Sequence, residues 1–366
     1  MILDRYFARR FTQSFLVIGC IFLTLMILID LIEQVRRFDE VDLSFGRLLY
    51  LTLLNTPAAI GEMLPLLIIL STIALFIGLA RSSELVVTRS IGRSGIRVLL
   101  APVTLALLIG ALAVAVLNPF AAATSEEFQR LSDSYRNRTS SALSISSEGL
   151  WLRQATEEGQ SVVHARRTSN GNTLLLKDVT IITFDAIGQP TRQISAKQAK
   201  LEDGFWVLQD AKIWPLMNGI NPEAGSKEHD RLEIPTTLTR QRILDRLANQ
   251  DSMSVYDLPQ LIRDLREAGF STKQYEVWFQ VQLARPLFLV AMVLIGAAFT
   301  MRHVRFGGTG IAVLTAVLLG FAIYFVRNFA QILGENGQLP IFVAAWAPPF
   351  AAILLSLGLL LHAEDG

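Results

Sequence analysis

Residues 81–93 read RSSELVVTRSIGR and form a polar segment short enough to be a turn between two long apolar runs. The pattern predicts a short helix at a membrane surface, because Ser82 or Ser83 can cap its start and Gly92 suits the left-handed residue that ends a helix. Four arginines lie within residues 81–97. Short loops rich in arginine stay on the cytoplasmic side, so we expect this segment to be cytoplasmic.

Two interpretations of this segment remain open. Any membrane protein carries basic cytoplasmic loops, and the segment then has no further role. Alternatively, it is a docking helix for a soluble partner. Leu85, Val86 and Val87 would supply apolar anchors for the partner's groove, and Glu84 a single carboxylate between basic residues.

The composition is that of a membrane protein. Hydrophobic residues make up 51% of the 366 residues and charged residues only 18%, with a mean hydropathy of +0.42, which is too apolar for an ordinary soluble domain. The net charge of +1 argues against a nucleic-acid partner. The single cysteine, Cys20, excludes an intrachain disulfide. No small-residue cleavage site follows the first apolar run, which predicts an uncleaved anchor.

Six apolar runs are long enough to cross a hydrocarbon core of about 30 Å. If they alternate in direction, nine arginines of the N-terminus and of the turns 81–97 and 302–305 fall on one side. This distribution predicts that both termini are cytoplasmic and that the polar region between the third and fourth spans lies outside. The predicted spans are 11–32, 48–80, 98–118, 279–301, 309–333 and 340–362.

The region 119–278 changes character and predicts an antiparallel β-domain. Asn170-Gly171 and Asp203-Gly204 separate strand-like runs and are strong hairpin signals, because primed turns need positive φ. We expect a sandwich or partly open roll, followed by an amphipathic helix at 254–268. The expected fold is an α+β membrane protein, six transmembrane helices (3+3) with an inserted β-domain. Its expected domains are 1–118, 119–278 and 279–366, and its expected strands 143–152, 161–166, 173–184, 192–201, 205–214 and 231–239.

Catalytic signatures are missing from the sequence. It contains no Gly-rich loop followed by Lys and Ser/Thr, no Gly-x-Ser-x-Gly and no His-Glu-x-x-His, and its four histidines lack the spacing of metal ligands. We therefore expect a chain that is not an enzyme and that binds neither a metal nor a cofactor itself.

The polar residues that say most about function are arginines expected at the same depth in the membrane. Arg285 lies about 24 Å along its helix from the cytoplasmic end and Arg327 about 27 Å, so both approach the outer headgroup level. Arg36 and Arg37 close the first span at the same level. Either these side chains snorkel at helix ends, or several converge on an anionic headgroup, since arginine forks bind phosphate bidentately.

Glu62 stands between Pro57 and Pro65 in the second span. It is either an interface residue at the entry to that span or a group that faces an internal cavity.

Several motifs together resemble a known family. Leu3-Asp4-Arg5-Tyr6 opens the first span, residues 81–87 read RSSELVV, and a β-domain lies between two sets of three spans. This layout is similar to the permease subunits of the lipopolysaccharide exporter, the LptF/LptG (YjgP/YjgQ) family. The opening tetrapeptide, the Ser-Glu-Leu-Val-Val run and the stretch 254–286 resemble the G-type subunit.

The resemblance implies a permease that pairs with an F-type permease over a dimeric cytosolic ATPase, which binds the ATP and Mg. It also implies that spans one and five are lateral gates, that Arg36 and Arg37 contact lipopolysaccharide, and that a jellyroll passes the lipid to a single-span periplasmic bridge in the bacterial cell envelope. Arg285 and Arg327 join the expected lipid site on the depth argument alone. A membrane-anchored periplasmic sensor or assembly scaffold is the alternative. The expected ATPase-coupling residues are Arg81, Ser83, Glu84, Leu85, Val86 and Arg89.

Overall fold

The computed structural model describes residues 2–39, 43–90, 94–135, 143–146, 149–156, 159–170, 174–185, 189–202, 204–216, 223–236, 253–267, 271–301 and 309–365. Within this part of the chain, six helices are long and apolar enough to cross a membrane, as predicted. Spans one and two are α1 and α2, span three combines α4 with α5, and spans four to six are α7, α8 and α9. The helices are α1 (Ile2–Arg37), α2 (Phe45–Arg81), α3 (Glu84–Ser90), α4 (Gly95–Leu112), α5 (Asn118–Tyr135), α6 (Leu258–Glu267), α7 (Lys273–Thr300), α8 (Thr309–Glu335) and α9 (Ile341–Asp365).

The helices extend beyond the apolar runs that predicted them. Helix α1 begins at Ile2 rather than at residue 11, because the polar first turns continue the helical hydrogen bonding outside the apolar stretch. Span three continues through a π-helical turn, Ala113–Leu117, directly into α5. The membrane unit therefore extends to Gln129, past the predicted boundary at residue 118.

Helix α7 lies at the centre of the helical unit. It contacts α2, α4, α8 and α9, and most of its apolar stretch is buried. Close approach is possible because glycines lie at its contacts. A β-carbon on Gly110 of α4 would lie 2.5 Å from Pro286 Cα of α7, and one on Gly296 of α7 would lie 3.0 Å from Thr72 Cβ of α2. Helices α1 and α8, by contrast, leave most of their apolar surface exposed.

The β-domain is one seven-stranded antiparallel sheet in which strands adjacent in sequence pair in the order β1 to β7. An inserted antiparallel β-domain was predicted, but the single run expected at 143–152 divides into β1 and the start of β2. At the predicted Asp203-Gly204 turn, Gly204 has φ +83° between β5 and β6, and Asp203 lies outside the described residues. The strands are β1 (Leu143–Ser146), β2 (Gly149–Thr156), β3 (Gly159–Asn170), β4 (Leu174–Phe184), β5 (Pro190–Glu202), β6 (Phe205–Pro215) and β7 (Lys227–Pro235).

One face of this sheet is buried. Val163 and Ala165 of β3 and Ile194 and Ala196 of β5 alternate with less buried neighbours, the period-two pattern of a half-buried strand. The second compact unit contains this sheet and α6 and comprises Arg130–Gln250 and Asp257–Thr272. Helix α6 begins at Leu258, later than the predicted residue 254, and its predicted end at residue 268 lies outside the described residues.

Candidate functional site

A cavity of about 200 Å³ lies among α2, α7 and α8. Its lining is mostly apolar, with one carboxylate and one phenol. Glu62 therefore faces a cavity, the second of the two interpretations offered by the sequence. The apolar lining includes Met63, Leu66, Ile69, Met292, Val317 and Phe321, and Glu62 and Tyr324 are its polar members.

Backbone features of α2 and α8 shape this cavity. Pro65 lies inside α2 and lines the cavity, and a proline inside a helix removes one backbone hydrogen bond and favours a bend. Gly320 lies where α8 passes α2, since a β-carbon there would stand 2.6 Å from Ile69 Cδ1. The two helices are thus in close contact on one side of the cavity.

Arg285 and Arg327 lie close together beside Glu62. Arg285 and Arg327 interact electrostatically with Glu62, with Tyr324 and with each other. Arg285 also reaches α2, because its Nη1 lies 3.7 Å from the β-carbon position of Gly61. Glu62, Arg285 and Arg327 stand about 28, 22 and 27 Å along their helices from the ends that are predicted to be cytoplasmic, so they lie at similar depths.

Aromatic rings hold the Arg327 guanidinium in place. Its Cζ lies 5.1 Å from the ring centre of Phe288 and 5.9 Å from that of Tyr324, distances at which a cation is attracted to a π face. Two arginines against one carboxylate leave a net positive charge next to an apolar cavity. Such a site can bind a phosphate through the arginine forks and an acyl chain through the wall.

Arg36 and Arg37 lie at the other expected lipid contact, the outer end of α1. Both side chains are exposed, and the Arg37 guanidinium carbon lies 5.8 Å from the ring centre of Phe128 in α5. Their part in lipid binding stays a prediction.

Helix α3 is the short helix predicted from residues 81–93. Its exposed side carries Val86 and Val87, 48% and 56% exposed, whereas Leu85 is 6% exposed and packs in the helical core. Leu85 therefore anchors α3 from inside, and Val86 keeps its predicted place on an exposed docking face. Arg81 and Ser83 are exposed, and Ser83 has φ +57° before the helix begins.

The carboxylate of Glu84 is held within the chain. It accepts hydrogen bonds from Tyr6 Oη at 2.8 Å and Ser82 Oγ at 2.8 Å, and Arg10 Nη2 lies 3.4 Å away. The Arg89 side chain and the expected end of the helix at Ile91, Gly92 and Arg93 lie outside what the structure describes. The coupling roles of these residues stay predictions.

Sequence reasoning missed several partners of the named residues. Tyr324 precedes Arg327 by one helical turn, and that spacing was the available signal. Tyr6 and Arg10 contact Glu84 across 78 and 74 residues, a pairing that no local pattern reveals. Asp30, an acid in span one, accepts a hydrogen bond from Asn55 Nδ2 of α2 at 2.9 Å, which compensates part of its burial.

Comparisons with known proteins identify the family of this chain. Residues 5–362 match the family model described as "Lipopolysaccharide export system permease LptF/LptG". The chain is 25% identical over 374 residues to the lipopolysaccharide export system permease protein LptG of Haemophilus influenzae, covering 99% of both chains. It is 22% identical over 371 residues to LptG of Escherichia coli K12, covering 99% of this chain and 98% of the relative. This protein, a multi-pass inner-membrane protein, therefore belongs to the LptF/LptG family of lipopolysaccharide export permeases.

Proposed function

We propose that this chain is the G-type permease subunit of an ATP-binding-cassette exporter that extracts lipopolysaccharide from the outer leaflet of the inner membrane. The observation that carries this proposal is the positively charged cluster of Arg285, Arg327 and Glu62 beside an apolar cavity of the helical unit. This lipid carries phosphate groups and acyl chains. The arginine cluster suits the phosphates, and the apolar wall of the cavity suits the acyl chains.

The lipid's route follows from the exposed helices. Helices α1 and α8 present apolar side chains outward, for example Leu28, Phe325 and Phe329. A cavity of 200 Å³ holds only part of such a lipid, so these exposed faces complete a larger chamber with a related F-type permease. Lipopolysaccharide enters sideways between the spans and is lifted into the β-domain, which passes it to a periplasmic bridge.

The force comes from outside the chain. A dimeric cytosolic ATPase binds ATP and Mg and docks against α3, whose exposed valines suit an apolar groove. Closure of the ATPase moves α3 and narrows the chamber. This chain itself catalyses no covalent step.

A photocrosslinking experiment tests the lipid site. A photoreactive phenylalanine replaces Phe321 on the cavity wall, and crosslinking to lipopolysaccharide is measured in cells. Arg327→Ala and Arg285→Ala each remove a charge-assisted contact worth about 1.5–3 kcal/mol, so we expect crosslinking to fall by about tenfold or more. Arg263→Ala, at an exposed position of α6, is the matched control and should leave it unchanged.

Unchanged crosslinking in both cavity variants would remove the cluster from the lipid site. The charge reversals Arg36→Glu and Arg37→Glu test the outer end of α1 in the same assay. If they alone reduce crosslinking, the headgroup binds at the end of span one rather than beside the cavity.

A further inference from the structure

One carboxylate joins the cytoplasmic end of α1 to helix α3. Glu84 Oε2 accepts a hydrogen bond from Tyr6 Oη at 2.8 Å, and Glu84 Oε1 lies 3.4 Å from Arg10 Nη2. Arg10 Nε in turn donates to Tyr6 Oη at 2.9 Å. The three side chains therefore form a closed ring of contacts, and Ser82 Oγ is a third donor to the carboxylate, at 2.8 Å.

The geometry of α1 places these side chains together. Tyr6 and Arg10 are one helical turn apart and face α3 as a pair, with the Arg10 guanidinium carbon 5.3 Å from the Tyr6 ring centre. Phe7 and Phe11, on a neighbouring face, are 2% and 0% exposed. The inner end of α1 is thus fixed to the helical core on one side and to α3 on the other.

The middle of α1 is largely exposed, and one hydrogen bond, from Asn55 Nδ2 of α2 to Asp30 at 2.9 Å, joins its outer part to the rest of the helical unit. None of its most apolar 18-residue stretch is buried, and beyond Phe11 its buried residue is Gln34 near the outer end. The helix runs unbroken over 36 residues, about 54 Å at 1.5 Å per residue. A small displacement of its fixed inner end therefore becomes a larger tilt at its outer end.

We propose that Tyr6 and Arg10 are positioning residues that transmit movement of α3 to span one through the Glu84 carboxylate. This inference rests on the proposed function, because it assigns α3 the movement that an ATPase imposes. When α3 shifts, Glu84 pulls the paired Tyr6 and Arg10, and α1 tilts as a rigid rod. The exposed apolar face of α1 then opens or closes toward lipid.

A distance measurement tests the linkage in the complex purified with its own partners in lipid nanodiscs. Spin labels at Ile32→Cys in α1 and Leu354→Cys in α9, both exposed positions, report the tilt in a Cys20→Ala background. When a nucleotide is trapped in the ATPase, the distance between the two labels should change in the protein that carries no further substitution. Tyr6→Phe and Arg10→Gln should reduce the shift by about threefold or more, the effect of losing a charge-assisted hydrogen bond. Arg10→Lys should restore part of it.

Arg9→Gln, one residue away and exposed, is the control and should retain the full shift. The linkage is overturned if trapped nucleotide moves the labels equally in Tyr6→Phe, Arg10→Gln and the parent, or moves them in none. If the single variants do not assemble, the exchanged pair Arg10→Glu with Glu84→Arg should restore assembly and shift. Failure of the exchanged pair counts against the proposal.

A second measurement in the same nanodiscs separates this inference from the proposed function. ATP-driven release of lipopolysaccharide by the parent complex tests the function, and the lipid released per ATP should fall in Tyr6→Phe and Arg10→Gln while ATP hydrolysis continues. A parent complex that releases no lipid, but whose label shift depends on Tyr6 and Arg10, would refute lipid export and leave the linkage standing. Normal lipid release per ATP in both variants would refute the linkage.

Discussion

Gly110 lies where span three presses on α7. A β-carbon at this position would stand 2.5 Å from Pro286 Cα and 3.3 Å from Pro286 N, and backbone atoms cannot rotate away as a side-chain end can. We therefore expect Gly110→Ala to separate the two helices and to destabilise the helical unit by about 1–3 kcal/mol, the usual cost of overpacking. The measurement is the midpoint of detergent-induced unfolding, followed by circular dichroism.

Gly78 supplies the matched control for this substitution. It lies in α2, and no atom lies within 4 Å of its β-carbon position. Gly78→Ala should leave the midpoint unchanged or raise it slightly, because alanine favours a helix over glycine. Equal midpoints for the two alanine variants would contradict the close packing of span three on α7.

Glu223 follows β6 in the sequence and accepts hydrogen bonds from two side chains of that strand. It accepts hydrogen bonds from Lys212 Nζ and from Trp214 Nε1, the latter at 2.7 Å. Both bonds lower the pKa of Glu223 below its usual 4.5, and the bond from Lys212 has the larger effect. A lowered pKa means that the stabilisation is complete above pH 4.5 and is lost as the pH falls through the pKa of the folded protein.

The Trp214 indole reports this titration directly. In the ¹⁵N-tryptophan-labelled full chain, we expect the Trp214 indole N–H signal to be constant above pH 4.5 and to move upfield below it, because a protonated carboxyl is a weaker acceptor. Glu223→Gln should show the shifted signal at every pH. A signal that moves between pH 5 and 7 would contradict a lowered pKa.

At the scale of elements, the π-helical turn of span three is fastened to the segment that returns from the β-domain. The Ala115 carbonyl accepts a hydrogen bond from Tyr256 Oη at 3.1 Å, and Asn118 Oδ1 accepts one from the Val255 N–H at 2.8 Å. π-helical turns disturb the regular ladder of backbone bonds, and here a tyrosine hydroxyl serves one of the carbonyls. The two chain segments are therefore fixed to each other at this point.

Removing the Tyr256 hydroxyl should loosen this attachment. We expect Tyr256→Phe to lose about 1 kcal/mol of local stability, which corresponds to about fivefold faster amide exchange in the segment 253–257. Hydrogen–deuterium exchange of the protein in nanodiscs measures it. Tyr50→Phe, at an exposed position of α2, should change nothing, and identical exchange in both variants would exclude the attachment.

Elements set by local pattern were predictable from sequence, and those set by distant contacts were not. The apolar runs predicted six spans, and capping residues with an apolar side predicted α3. The π-helical turn escaped prediction because residues 113–117 read AVAVL, an apolar sequence with no distinguishing residue, and its stabilising partner lies 141 residues away. Arg285 and Arg327 were placed by helical rise alone, whereas the attachment of Glu84 to Tyr6 required the packing of α1 on α2.

At the scale of the whole molecule, successive spans cross the membrane in opposite directions, so successive connections lie on alternate sides. Span two ends at Arg81 and span three begins at Gly95. The β-domain follows the opposite end of span three. Helix α3 and the β-domain therefore belong on opposite sides if all six helices cross. The arginine distribution predicts that α3 and both termini are cytoplasmic and that the β-domain is periplasmic.

Cysteine labelling decides this orientation. Cys20 is the only cysteine of the chain, so a Cys20→Ala background accepts one new thiol at a time, at the exposed positions Lys197 of β5 or Ser90 of α3. A membrane-impermeant maleimide should label Lys197→Cys in intact spheroplasts and Ser90→Cys only after lysis, because no route leads a charged reagent across the bilayer core. Labelling of both thiols in intact spheroplasts would place α3 beside the β-domain, which a chain with six crossing helices cannot do. Labelling of Ser90→Cys alone would reverse the orientation and leave α3 out of reach of a cytosolic ATPase.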